Sequence, residues 1–156
     1  MSTVETWQID STSSEATEQL AERLGQSLRG GEIIELISDL GGGKTTFVRG
    51  LARGAGSTDR VASPTFTISR VYKAGDLEIH HFDFYRLGEA GLIAEELAEV
   101  ISDPNVVTVV EWANIVQDVL PQKRLTITIE KTPVDGRKLT FQAPESLRYL
   151  MKAVQT

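Results

Sequence analysis

The chain's 156 residues include no cysteine. Disulfides, thiolate metal sites and cysteine nucleophiles are therefore excluded, and a reducing, cytoplasmic setting is expected. Long apolar runs are also missing. The most apolar stretch, residues 106–112, is far shorter than the roughly 20 residues a helix needs to cross a bilayer, so no membrane partner is expected. The opening MSTVETWQID has neither a basic start nor an apolar stretch, and no secretory signal is expected. Internal repeats, low-complexity tracts and linker-like segments are absent as well, which points to one domain over residues 1–156. With 40% hydrophobic and 24% charged residues, the composition is that of an ordinary globular protein rather than a disordered one. A chain of this length can bury about two-thirds of its unfolded surface and needs no covalent staple.

The charge is segregated within a formal net of −6. Residues 87–122 contain no Lys or Arg but seven acids, and residues 1–43 contain two bases and eight acids. Residues 44–86 and 123–156 carry seven bases each, against four and three acids. The two basic blocks can meet around an anion, or they can be solvated faces that differ by chance.

Strand and helix signals alternate. Residues 4–9 read as a strand. Residues 13–28 read as a helix capped by Ser13 or Ser14, with Ala16, Leu20, Ala21, Leu24 and Leu28 at helical spacing. Residues 32–37 form a mostly apolar strand, expected to be covered on both faces, and residues 45–55 a helix. Residues 66–72 and 77–83 resemble strands around the turn signal Lys73-Ala74-Gly75-Asp76. An acidic helix is predicted over 89–101 and a buried strand over 106–110. Strands follow at 125–130 and 137–142 on either side of a turn at 132–136, then a helix at 145–154. This order predicts an α/β three-layer sandwich of the P-loop NTPase type, with a mixed, mainly parallel central sheet and antiparallel hairpins.

The strongest motif is Ser38-Asp39-Leu40-Gly41-Gly42-Gly43-Lys44-Thr45-Thr46, set between a buried strand and a helix. Glycines in such a loop let successive backbone N–H groups turn inward around a polyphosphate. The following helix points its positive end at the same charge. In a nucleotide-binding P-loop the lysine reaches the β- and γ-phosphates and the next hydroxyl, here Thr45, is expected to bind Mg²⁺. A helix-dipole term is only about 0.3–1 kcal/mol at an exposed site, so affinity depends on the whole nest and a cation. Ser38 stands where the usual pattern begins with glycine. A glycine-rich turn that only caps a helix is the simpler alternative.

Such a loop works with a carboxylate at the end of a neighbouring strand, which holds Mg²⁺ or orients water. Glu111 closes the apolar VVTVVEW strand, and Asp83 follows the strand in IHHFDFYR. A carboxylate there costs desolvation unless a cation or donor meets it, although strand-end acids also serve as helix caps. His80 and His81 alternate on one strand and point to opposite faces, so they cannot share a metal; packing or hydrogen bonding fits them better. Trp112 is either core or a surface that senses nucleotide. Ser63-Pro64-Thr65-Phe66-Thr67 can offer hydroxyls to phosphate as a switch segment does, or can be an ordinary proline turn.

Four segments, DLGGGKTTFVRG (39–50), SPTFTI (63–68), HFDFYRL (81–87) and VEWANIVQDVLP (110–121), taken in this order resemble the bacterial tRNA threonylcarbamoyladenosine biosynthesis ATPase family, TsaE. The likeness runs from the helix containing Thr17 to Gly136-Arg137. It implies a small P-loop ATPase fold that binds ATP and Mg²⁺, with Thr45 and Glu111 as metal ligands. Gly41, Gly42, Gly43, Lys44, Thr45 and Thr46 would wrap the phosphates. Asp83 would be a catalytic or water-ordering carboxylate, Thr65 part of the switch-like segment, and Ser14 and Arg137 neighbours of the base or ribose. The chain departs from the family pattern at Ser38, at Gly42 where alanine is more usual, and at Ala113-Asn114 after the tryptophan. The resemblance also implies action with the TsaB and TsaD proteins, which together with TsaC modify the adenosine next to the anticodon. The ATPase would cycle the TsaB–TsaD complex without transferring the group itself, and would meet tRNA only indirectly.

The reaction expected is in-line attack of water on the γ-phosphate, with Lys44 and the metal offsetting charge and Asp83 or Glu111 orienting the water. Turnover should be slow alone, because no arginine finger is evident. Arg86 or a partner residue can supply one, worth about 10³–10⁵ in rate in other P-loop enzymes. Three rivals make different predictions. A small-molecule kinase needs an arginine-bearing lid, which residues 87–122 do not provide. A nucleotide-gated binding module would work without hydrolysis. A direct tRNA binder would show strongly salt-dependent binding.

Overall fold

The computed structural model describes residues 4–38, 43–62, 69–85 and 87–155. Its strands are β1 (Val4–Ser11), β2 (Ile33–Ile37), β3 (Ser69–Ala74), β4 (Leu77–Asp83), β5 (Val106–Glu111), β6 (Leu125–Lys131) and β7 (Arg137–Pro144). Its α-helices are α1 (Ser14–Gln26), α2 (Lys44–Gly54), α3 (Ile93–Ile101) and α4 (Arg148–Val154). The strands form one sheet in the order β1-β7-β6-β2-β5-β4-β3. The central β6, β2, β5 and β4 are parallel, whereas β7, β1 and β3 join through antiparallel pairs. This is the mixed α/β architecture expected from the sequence.

The parallel centre follows from burial. Every residue of β5 is buried, as are the first four of β2, so these strands carry apolar residues continuously rather than alternately. One face of the sheet packs against α1, α2 and α4 through Leu24, Phe47, Leu51 and Met151. The other packs against α3 and a 3₁₀ turn at Ala113–Val116 through Phe82, Leu97, Val110 and Val116. Three layers result.

Helix α1 lies unusually close to α2. A Cβ on Gly50 would stand 2.1 Å from the Glu18 carbonyl oxygen, and one on Gly25 would stand 2.1 Å from that of Leu51. Small residues on both helices permit this approach. Arg53 donates to Glu22 from Nε and Nη2 at 3.1 and 2.9 Å on the exposed side of the seam.

Several boundaries differ from the sequence reading. Helix α1 stops at Gln26, and α3 starts at Ile93 because the chain bends at residue 89 and turns at 91–92, with Gly91 at a φ of 52°. The last helix begins as a 3₁₀ turn at Glu145–Leu147. Strand β3 runs on to Ala74, so the reversal falls at Gly75 and Asp76. Residues 66–68 of the predicted strand lie outside the described residues. Among the described residues, no helix is long and apolar enough to cross a membrane.

Candidate functional site

The site gathers at the C-terminal ends of β2, β4 and β5, where α2 begins. Gly43 sits at φ 104° and ψ 16°, a left-handed conformation that a Cβ would strain, and brings no side chain to cap the helix. The first turn of α2 contains no acidic residue. Its backbone N–H groups therefore present positive charge without a neighbouring carboxylate on the same turn.

Lys44 opens α2 with only 8% of its surface exposed. Its ammonium donates to the Ser38 carbonyl at 3.1 Å, lies 3.9 Å from Glu111 Oε1, and sits 5.0 Å above the centre of the Trp112 ring. Glu111, at the end of β5, is 3% exposed. Its second oxygen, Oε2, accepts a hydrogen bond from Nε2 of the fully buried His81. The desolvation expected of a carboxylate at the end of an apolar strand is thus offset by a cation on one side and a donor on the other.

Asp83 is the register partner of Glu111 across β4 and β5. Burial raises its carboxyl above the ordinary aspartate value, and the neighbouring Glu111 charge pushes the same way. The Tyr85 N–H, which donates to Asp83 Oδ1 at 3.0 Å, together with His81 and Lys44, opposes the shift. Trp112 has φ 54° and ψ 53°, uncommon for a bulky residue, and its ring meets Tyr85 with centroids 4.9 Å apart. The αL residue turns the chain from β5 into the 3₁₀ turn and lays the indole beside Lys44.

A cavity of about 370 Å³ adjoins the turn, lined by Ser13, Ser14, Thr17, Thr46, Asp135 and Arg137 among others. Arg137 Nε lies 3.6 Å from where a Cβ on Gly43 would stand. A residue of the second basic block therefore reaches the start of the first. Ser13, rather than Ser14, caps α1, accepting from the Ala16 N–H at 3.1 Å. Ser14 is left to face the cavity.

The structure thus brings Lys44, Asp83 and Glu111 together at the strand ends, and Ser14, Gly43, Thr46 and Arg137 around one cavity. Thr45 lines a different cavity with Arg49, Asp59 and Arg60, and no described contact joins it to Glu111. Gly41, Gly42 and Thr65 lie outside the described residues, as does Arg86. The partners missed in the sequence are the Ser38 carbonyl, His81 as the donor to Glu111, and Asp135. His81 had a readable signal, because a residue two before Asp83 on a strand shares its face. For Asp135 there was none beyond a turn next to Arg137.

Asp83, Glu111 and the Thr45 hydroxyl offer only oxygen, the donor type that suits a hard cation. Among the described residues, no three or more His, Asp or Glu side chains are grouped to hold a metal by themselves. This chemistry fits Mg²⁺, which binds through one or two carboxylates with phosphate and water completing its shell.

The model of the family described as "Threonylcarbamoyl adenosine biosynthesis protein TsaE" matches residues 11–139. A Bacillus subtilis protein named tRNA threonylcarbamoyladenosine biosynthesis protein TsaE is 39% identical over 130 residues, covering 83% of this chain and 80% of its own. A Streptomyces coelicolor protein of the same name is 39% identical over 119 residues, covering 75% and 80%. The crystal structure of Bacillus subtilis YdiB superposes with a TM-score of 0.75 at 34% identity, over 99% of this chain and 96% of that one.

Proposed function

The chain belongs to the TsaE family, and on that premise we propose that it binds ATP with Mg²⁺ where β2 meets α2, hydrolyses it, and serves threonylcarbamoyladenosine formation on tRNA together with TsaB and TsaD. The observation that carries this reading is the buried pairing of Lys44 with Glu111 beside the left-handed Gly43. A cation and a carboxylate taken out of water at a helix start that carries no acid form a site suited to phosphate and a divalent ion.

In this reading Lys44 turns from Glu111 to the β- and γ-phosphates. The α2 N–H groups and Gly43 cradle the chain of phosphates, and Ser14, Thr46 and Arg137 border the remainder of the nucleotide. Thr45 and Glu111 hold Mg²⁺, which when bound offsets negative charge on the phosphate oxygens. Water adds to the γ-phosphorus, the bond to the ADP oxygen breaks, and Asp83 or Glu111 orients the attacking water. The cytoplasmic setting belongs to the same proposal, as do indirect contact with tRNA through the partner complex and slow turnover in isolation.

Titration calorimetry with ATP, with and without Mg²⁺, tests the site. Reconstitution with TsaB and TsaD, following phosphate release and modified tRNA over several turnovers, tests the task. Tight Mg²⁺-dependent ATP binding and faster hydrolysis with the partners are expected. Absence of ATP binding would overturn the reading. Partner-dependent tRNA modification that proceeds unchanged in a protein unable to hydrolyse bound ATP would favour a nucleotide-gated module.

A further inference from the structure

His81 is fully buried on β4, yet its ring makes just one described hydrogen bond, to Glu111. We propose that His81 is a positioning residue for Glu111, holding one carboxylate oxygen so that the other stays directed at Lys44 and the start of α2. The inference rests on the nucleotide reading of the site and assigns the histidine a task within it.

Alternation along β4 puts Ile79, His81 and Asp83 on one face, the face that meets α2. Ile79 belongs to the core there, and Asp83 belongs to the site, so His81 stands at the border between them. Its Nδ1 is buried with no hydrogen-bond partner among the described residues. Its ring meets that of Tyr72 with centroids 6.2 Å apart and planes tilted by 40°. A buried ring nitrogen without a partner lowers stability, and a phenyl ring of similar size would fill the same space without that cost. Packing therefore does not account for an imidazole at this position, whereas Glu111 does. An ionised carboxylate can only accept, so Nε2 carries the proton and donates.

Glu111 is gripped from two sides, by Lys44 of α2 at one oxygen and by His81 of β4 at the other. The two grips differ in permanence. Lys44 has a second task at the phosphates and leaves Glu111 when nucleotide enters. His81 is enclosed by the core and stays. Once Lys44 has turned away, the histidine is the described group that still fixes the carboxylate, as outer partners do for ligands at metal sites.

The test compares the full chain with His81→Phe, His81→Asn and His81→Gln. In Gln the amide nitrogen reaches the place of Nε2; in Asn it falls short. Binding of ATP is followed by calorimetry and by tryptophan fluorescence as Mg²⁺ is titrated, and then in EDTA. His81→Phe and His81→Asn should raise the Mg²⁺ concentration at half-saturation about tenfold or more, while ATP affinity in EDTA changes by less than about twofold. His81→Gln should restore most of the loss. Equal Mg²⁺ half-saturation in wild type and a folded His81→Phe would overturn the inference and leave the nucleotide reading standing. If His81→Phe does not fold, equal values for the Asn and Gln variants would overturn it instead. A wild-type chain that shows no Mg²⁺-dependent ATP binding would remove the nucleotide reading and this inference with it.

Discussion

Asp83 and Glu111 face each other in register at the C-terminal ends of two adjacent parallel strands, β4 and β5. Two carboxylates side by side, one half-buried and one almost wholly buried, repel each other. Lys44, His81 and the Tyr85 N–H offset that repulsion only in part. The pair is therefore electrostatically unfavourable at a place where a cation would relieve it, a pattern that marks candidate functional sites.

The raised Asp83 carboxyl makes stability depend on pH in a definite direction. The folded chain holds this proton to higher pH than the unfolded chain does. Stability contributed at this position is therefore present below the ordinary aspartate range and falls as pH rises through the folded value. Asp83→Asn keeps the acceptor for the Tyr85 N–H and removes the charge. It should melt above wild type at neutral pH, with the difference shrinking towards pH 3, while ATP hydrolysis falls. Melting curves across pH 3–8, with the approximate limits set by the carboxyl range, check this; a gap that widens at low pH would contradict it.

Lys44→Ala removes the charged donor at the start of α2. A hydrogen bond to a charged group is worth about 1.5–3 kcal/mol, or about 10- to 150-fold in affinity. ATP binding should weaken by at least that factor in calorimetry. Retained affinity would show that the phosphates are held elsewhere.

Glu35 is another buried carboxylate, yet it belongs to the scaffold. Arg124 Nε donates to it at 2.9 Å and Gln117 Nε2 at 3.1 Å, tying the end of the 3₁₀ segment to β2. Arg124→Ala leaves a partly unpaired buried charge and should cost about 2–3 kcal/mol by urea denaturation. Adding Glu35→Gln should recover part of that loss, because the remaining amide is neutral.

Gly50→Ala sets two effects against each other. Alanine is favoured over glycine by about 1 kcal/mol within a helix. Its Cβ would collide with the backbone carbonyl of Glu18, which cannot rotate away as a side chain tip can. Separating α1 from α2 should outweigh the propensity gain, for a net loss of about 1–3 kcal/mol. Because α2 also carries Lys44, ATP affinity should fall in the same variant, read by calorimetry on the folded protein.

The sequence by itself determined the order of strands and helices, the buried strand closed by Glu111, and a helix directly after the glycine run, which the structure opens at Lys44 rather than at Thr45. These are local matters, fixed by the period of apolar residues and by φ at one position. Arg137 and Gly43 show what it left open. They lie far apart in the chain and become neighbours because β7 pairs with β6, and β6 with β2. The alignment of Asp83 with Glu111 and the grip of His81 on Glu111 likewise depend on β4 lying next to β5. Strand neighbours and register are decided when whole faces of the sheet bury against helices from distant parts of the chain. No short window of residues carries that information, so the partners of the charged groups emerged only with the tertiary structure.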